Sequence, residues 1–443
     1  MTTETAEIRE VRVLEIASVR VSDSSYDELI GFNIDSPASG ETLDYFWLPL
    51  AGWCLPSVDR PVHIVVTHAG VPVQALPVNG SRPDLAEVFP QVVHANRCGF
   101  SAAVSVARLP EQFELAVAAG VAGSSLELAT IWARRRRFEP LAAGRLAPLA
   151  LTTLGRTGST LIATLLSNHP AVVALDPAKH DSRPLAYWLE VATSLGQPSS
   201  SRRIVDSDPS GGDWWTGQQH VSNEALRRIA SPVRRWLGAS ALERLLHFSV
   251  ETAFDFVWQV ARLSGQCGAQ YALEKCGPTY VPRLMKELCP GAKEIFLVRD
   301  FRDMFASMSA FNKKRGYAAF GREKAASDEE FLLRLRSDAE RLARSWRERR
   351  ESSLLLRYED AVRRPEDVLA QAVTYLEIDA SAALMRQVVR RAGDALARAG
   401  GRHQTTADPE QSIGRWRCDL DPSLRELANE TFSDLLEEFD YET

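Results

Sequence analysis

The sequence predicts two fold classes in tandem, an all-β, sandwich-like domain over residues 1–133 and an α/β domain with a parallel sheet over residues 148–443. Two observations lead there. Up to residue 133, short apolar runs such as 11–16, 62–67 and 103–107 are separated by turn residues at close intervals, which is how antiparallel strands read. From residue 147 onward, runs fit for buried strands alternate with amphipathic helical runs, and a parallel sheet needs such a crossover between strands. Between the two lie four consecutive arginines, 134–137, and a stretch containing Ala, Gly and Pro, so 134–147 reads as a linker whose arginines face water.

With 45% hydrophobic and 25% charged residues, the chain has the make-up of a globular protein able to build a sizeable core. A net charge of −6 argues against a general nucleic-acid binder while leaving room for a local cationic pocket. No apolar run reaches the length of a membrane span, and the first residues are polar and acidic where a signal peptide would be basic and then apolar. The expected compartment is the cytoplasm. Six cysteines, Cys54, Cys98, Cys267, Cys276, Cys289 and Cys418, are scattered without a C-x-x-C pair. They read as free thiols in a reducing compartment, with no metal site expected, and Cys276 is the one placed to line a pocket.

In the first domain, Gly52-Trp53 and the turn 68–70 suit antiparallel strands, and Arg82-Pro83-Asp84 before Phe89-Pro90 signals one short helix. Tyr45, Phe46 and Trp47 read as packing between sheets, with stacking on a sugar ring as the second reading.

The second domain opens with a buried strand at 150–154, a polar turn Gly155-Arg156-Thr157-Gly158-Ser159-Thr160, and an amphipathic run ending at Asn168-His169-Pro170. The glycines let the backbone close on something the size of a phosphate, and the amides of the first helical turn then point at it. Arg156 adds a fixed charge and Ser159 and Thr160 add hydroxyls, which makes a P-loop-like anion cradle. A nucleoside triphosphatase loop would need G-x-x-x-x-G-K-[ST], whereas only two residues separate these glycines and no lysine follows Gly158. That spacing weighs against an ATP-dependent phosphotransferase.

Residues 184–270 read as helical with a Ser, Gly and Pro-rich break at 196–215, a lid or substrate loop carrying Trp214 and Trp215. Strands follow at 271–275 and 294–298, and the second runs into Arg299 and then a helix that brings Ser307 back toward the same edge. Ligands bind at that carboxyl edge in doubly wound sheets. Ser327 to Glu330 forms a capping box opening a helix to about residue 350, Leu354 to Tyr358 is a further strand, and Pro365 begins another helix. A loop holding Ser412 to Trp416 precedes the last helix.

Taken in order, the 155–160 turn, Arg299 with Ser307, and Arg357-Tyr358-Glu359-Asp360 resemble the sulfotransferases that use 3′-phosphoadenosine 5′-phosphosulfate (PAPS). The late S-I-G-R-W at 412–416 makes the pattern most similar to the bacterial and tyrosylprotein-like branch, over roughly residues 148–440. The resemblance implies that Arg156, Thr157, Gly158, Ser159 and Thr160 hold the 5′-phosphosulfate, and that Arg299 and Ser307 hold the 3′-phosphate. It further implies that Tyr358 lies near the adenine and that Ser412 and Arg415, or Arg417, belong to a flap over the nucleotide.

For catalysis it points to Arg156 and Lys275, the latter in an E-K context where Cys276 and Gly277 replace the usual residues. The base of the branch is a glutamate soon after the first helix. Asp176 is the nearest match here, with His180, Asp181 and Glu274 as alternatives. The expected function is transfer of a sulfuryl group from PAPS to a hydroxyl or amine of a small-molecule or glycan acceptor. The first domain resembles accessory domains of bacterial glycan-modifying transferases, which tilts that acceptor toward a glycan or glycosylated metabolite. The alternative is a carbohydrate-binding or scaffolding protein that retains a nucleotide-binding fold without turnover.

Overall fold

A computed structural model of the chain describes residues 12–175, 182–196, 235–399, 405–406 and 408–442. The chain forms two compact units, Met1–Glu139 with Leu189–Ser249 and Pro140–Trp188 with Val250–Thr443.

Among the described residues the first unit carries nine strands: β1 (Leu14–Val21), β2 (Leu29–Ser36), β3 (Thr42–Leu43), β4 (Trp47–Pro56), β5 (His63–His68), β6 (Val71–Pro77), β7 (Gly99–Ser105), β8 (Gln112–Val121) and β9 (Ser124–Arg135). They form two antiparallel sheets, ordered β3-β1-β9-β8-β5-β6 and β2-β4-β7. Along β8 the residues Phe113, Leu115, Val117, Ala119 and Val121 are buried in strict alternation, so one face builds core and the other does not. Both tight hairpins turn on an Ala-Gly pair with positive φ at each residue, Ala69-Gly70 and Ala122-Gly123, the geometry that matches strand twist. The short helix expected after Arg82 is present at Pro83–Val88, and Phe46 and Trp47 are buried as packing residues.

The arginine run departs from expectation. Arg134 and Arg135 continue β9, and strand alternation turns Arg135 inward, where it is 1% exposed. Its Nε donates to the Leu109 carbonyl at 2.9 Å and its guanidinium lies 4.9 Å from the Phe138 ring centre. Carbonyl oxygens and an aromatic face satisfy the charge that the sequence reading assigned to water.

Among the described residues the second unit contains five parallel strands, β10 (Ala147–Thr152), β11 (Val172–Val173), β12 (Tyr271–Cys276), β13 (Lys293–Val298) and β14 (Leu354–Arg357), in the order β11-β12-β10-β13-β14. Strand β10 is central, with β12 and β11 on one side and β13 and β14 on the other. Leu149, Leu151, Leu273, Ile295 and Leu297 pack one face against Ile162, Leu165, Leu369 and Val388 of the covering helices. Phe296 and Val298 pack the other face against Phe301, Phe305, Phe331 and Phe432. A sheet buried on both faces with a strand-order reversal at β10 exposes its carboxyl edge there. The serine half of the capping box is present: Ser327 Oγ accepts the Glu330 amide at 3.2 Å and opens Asp328–Arg349, while the Glu330 carboxylate takes the Ala326 amide at 2.7 Å.

Inside this unit Glu294 is fully buried on β13 and takes Arg349 through two bonds of 2.8 and 3.2 Å, with the Thr152 hydroxyl at 2.6 Å. Removing one partner strands the other charge in the core. Glu294→Ala is therefore expected to destabilise the protein by about 3–5 kcal/mol. A denaturant midpoint equal to that of the wild type would refute this.

Candidate functional site

Strand β10 ends at Thr152, and the chain then crosses the carboxyl edge in a turn held by its own threonines. Thr153 Oγ1 donates to the Leu297 carbonyl at 3.0 Å, and the buried Thr157 donates to the Leu154 carbonyl at 2.8 Å. Thr157 thus shapes the turn with its hydroxyl and has only its amide to offer a ligand. Gly158 sits at φ +86 as N-cap of the helix Ser159–Ser167, and a Cβ there would run into the Tyr358 ring. Glycine alone allows both the left-handed backbone and that close approach. A Cβ on Gly155 would likewise meet Phe320 Cδ1 at 2.8 Å. The amides opening the helix have no intrahelical acceptor, and the helix dipole makes that end attractive to an anion.

Arg156 also has positive φ, +63, a conformation that costs an L-residue about 1–2 kcal/mol. The contact that holds it is electrostatic: Arg299, at the end of β13, donates from Nη1 to the Arg156 carbonyl at 3.0 Å. The Arg156 Nε reaches Ser307 Oγ at 3.2 Å, and its guanidinium lies 4.9 Å from the Phe311 ring centre. Burial pushes the Arg156 pKa down to about 10, and the charges of Arg299 and Arg415 push the same way. Among the described residues neither Arg156 nor Arg299 has a carboxylate ion-pair partner. The Arg299 Nε is buried and has no hydrogen-bond partner among the described residues. Buried cations left in this way favour an anion between them.

Lys275 lies at the end of β12, 5% exposed, with Nζ donating to Thr160 Oγ1 at 3.1 Å, so it points into the cradle. Its neighbour Glu274 faces the other side of the sheet, as strand alternation requires. There Glu274 accepts the amides of Leu185 and Ala186 at 2.7 and 3.1 Å, at the start of the helix Pro184–Leu195. Burial pushes its carboxyl up to about 7 in spite of those two bonds. Cys276 is buried and its thiol is raised by burial and then by Glu274.

On the far rim Tyr358 opens the helix Tyr358–Arg363 after β14. The Arg299 guanidinium lies 4.5 Å from its ring centre and its hydroxyl is 2.9 Å from Ser412 Oγ. Arg299 Nη2 donates to the Ser412 carbonyl at 2.6 Å. Arg415 is engaged by Asp419 and by Thr405 Oγ1, each at 2.7 Å, and Arg417 by Glu442 at 2.7 Å.

The structure thus brings Arg156, Thr157, Gly158, Ser159, Thr160, Lys275, Arg299, Ser307, Tyr358, Ser412 and Arg415 to one edge of one sheet. Asp176, His180 and Asp181 lie outside the described residues, as does most of the 196–215 stretch. Sequence reasoning missed Asp303, which is 1% exposed. Its Oδ2 accepts the Gly414 amide at 2.7 Å and its Oδ1 the Trp416 amide at 3.0 Å. Burial pushes its carboxyl up to about 6, so it is mostly ionised at neutral pH. Its spacing four residues before Ser307, on one helical face, was the available signal.

A family model described as Sulfotransferase family matches residues 148–382, more than half of the chain. No match was found among curated protein sequences. Of solved structures, a sulfotransferase domain from the curacin biosynthetic pathway is 16% identical, with 68% of this chain and 99% of that one aligned at a TM-score of 0.38. A sulfotransferase domain from the Synechococcus PCC 7002 olefin synthase is 19% identical, over 70% of this chain and 100% of that one, at a TM-score of 0.39. A mouse sulfotransferase complexed with PAP is 14% identical, over 67% and 87% of the two chains, at a TM-score of 0.37. Nothing about donor or acceptor follows from likenesses of this size.

The pKa of Glu274 has a consequence for stability. A carboxyl raised from 4.5 to about 7 by burial holds its proton in the folded chain after the unfolded chain has lost it. Stability from this group is complete below the unfolded value and is withdrawn as pH rises through the folded one. Between pH 5 and pH 8 the wild type should lose stability more steeply than Glu274→Gln, measured by urea denaturation. Asp303 contributes a slope of the same sign to both proteins, so parallel curves would dismiss the effect assigned to Glu274.

Proposed function

We propose that this chain, which belongs to the sulfotransferase family, moves a sulfuryl group from PAPS to a hydroxyl or amine of an acceptor that is a glycan or glycosylated metabolite. The observation that carries the donor reading is the pair of guanidiniums at the start of the helix Ser159–Ser167, half-buried Arg156 and buried Arg299, neither of which has a carboxylate ion-pair partner among the described residues. The site suits a ligand with two anionic ends. The 155–160 turn with Lys275 would hold the 5′ end, and Arg299, whose Nε lacks a partner, would hold the 3′-phosphate with Ser307. Tyr358 offers a ring face beside them.

The donor supplies a sulfuryl group bonded to a phosphate that leaves with its charge. The chain's own part is positioning and charge. Arg156, Lys275 and the first amides of the helix place positive charge where negative charge grows on the leaving oxygen, in a partly buried site where water screens it less than in bulk. Because these groups are aligned before reaction, no solvent reorganisation is needed when the bond breaks. The acceptor oxygen or nitrogen gains the sulfuryl group and gives up a proton, for which Asp176 is the proposed base. All six cysteines are free, which supports a reducing compartment, the cytoplasm. Among the described residues no helix is long and apolar enough to cross a membrane. The glycan tilt of the acceptor rests on the resemblance of the all-β domain to accessory domains.

Thermal-shift measurement with adenosine 3′,5′-bisphosphate, adenosine 5′-phosphate and ATP tests the donor without knowledge of the acceptor. The bisphosphate is expected to stabilise most, without added magnesium. In calorimetry Arg299→Ala should weaken the bisphosphate by about 10- to 100-fold, the worth of a buried charge-assisted contact, and weaken adenosine 5′-phosphate much less, through the lost hold on the Arg156 carbonyl. Equal loss for both ligands would remove Arg299 from the 3′-phosphate, and ATP as the best ligand would remove the donor.

A further inference from the structure

Nothing in the donor chemistry above uses Asp303, yet both oxygens of this side chain are committed at the edge of the site. It sits in the first turn of the helix Phe301–Arg315, between Arg299 and Ser307 in sequence, and each of its oxygens takes one amide of the 412–416 segment. Those two amides, Gly414 and Trp416, flank Arg415 on either side. A carboxylate that grips both amides fixes the Ile413–Gly414 and Arg415–Trp416 peptide planes, which bracket Arg415, because charge-assisted bonds in a buried setting are short and directional.

The surroundings are arranged for the same end. Gly414 adopts φ +70, and a Cβ there would press on Arg417 Nη1 at 2.9 Å, so the segment has one tight course. Beneath it Arg302, paired with Asp300 through bonds of 3.0 and 2.8 Å, lies 4.1 Å from the Trp416 ring centre. The Arg299 guanidinium and the Tyr358 hydroxyl hold Ser412 from the site's side. The segment therefore hangs on Ser412 at one end and on Asp303 at the other, with Arg415 between, close enough for its charge to act on Arg156.

We infer that Asp303 is the positioning residue of the 412–416 segment, setting the place of Arg415 and of the Ser412 carbonyl against the bound nucleotide while touching neither nucleotide nor acceptor itself. This rests on the donor site proposed above. It assigns to a buried acid a part in nucleotide affinity that is separate from the stability of the helix it stands on.

The test uses the full chain with Asp303→Ala and Asp303→Asn. Three quantities are read: affinity for adenosine 3′,5′-bisphosphate, hydrogen exchange at the Gly414 and Trp416 amides, and the thermal midpoint without ligand. For the alanine variant the expected result is faster exchange at both amides and an affinity lower by about tenfold or more. Its exchange across the rest of Phe301–Arg315 should stay protected. Asparagine keeps one acceptor oxygen and should fall between the two, and it carries the test alone if the alanine variant does not fold. Bisphosphate affinity equal to that of the wild type in both variants would overturn the inference, as would lost affinity accompanied by exchange throughout the helix. If the wild type itself fails to bind the bisphosphate, the donor reading falls, and unchanged exchange at Gly414 and Trp416 in the variants would separately defeat the role of Asp303.

Discussion

Arg156, half-buried, and Arg299, buried, meet at the carboxyl edge of a parallel sheet, where their like charges repel. Such a pair survives only if the surrounding fold supplies more than the repulsion removes. Here that supply is local and specific. Arg299 binds the carbonyl of the very residue whose side chain it repels, and in doing so holds Arg156 in a left-handed conformation. Ser307 and the Phe311 ring take the Arg156 side chain from beyond. The cost is stored in the site, and an anion of two charged ends would release part of it.

That arrangement depends in turn on the sheet. At the carboxyl end of β10, with β12 and β13 on either side, the glycine turn, Lys275 and Arg299 come to one edge, Lys275 in register with Leu151 and Arg299 beyond the Thr152–Phe296 pair. The faces are sealed by two separate apolar clusters, and the buried Glu294 is paired with Arg349. Asp300 does double service. It caps its own helix through the Arg302 amide at 2.9 Å, and it pairs with the Arg302 guanidinium that underlies Trp416. The segment carrying Ser412 and Arg415 is thus anchored to the same helix that begins beside Arg299.

Much of this was legible in the sequence because it is local. The strand, the glycine turn and the helix of 147–170 follow from residues within one span, as do the Ser327 cap and the arginine at the end of β13. Interactions across long sequence separations were not legible. Arg135 looks like part of a solvated run until strand β9 is paired, and its carbonyl partner belongs to Leu109. Glu274 stands beside Lys275 in sequence, but the pleat sends one toward the helix Pro184–Leu195 and the other toward Thr160. Asp303 has partners more than a hundred residues away, at Gly414 and Trp416.

By itself the sequence determined the two fold classes and the strand, glycine turn and helix of 147–170, because periodicity and turn chemistry act between near neighbours. Tertiary structure decided which charges meet. It set Arg299 against Arg156, gave Thr157's hydroxyl to the turn, turned Glu274 away from the cradle and brought Asp303 beneath the 412–416 segment. Charge acts through space and depends on burial, and both are properties of the folded chain that no local pattern encodes.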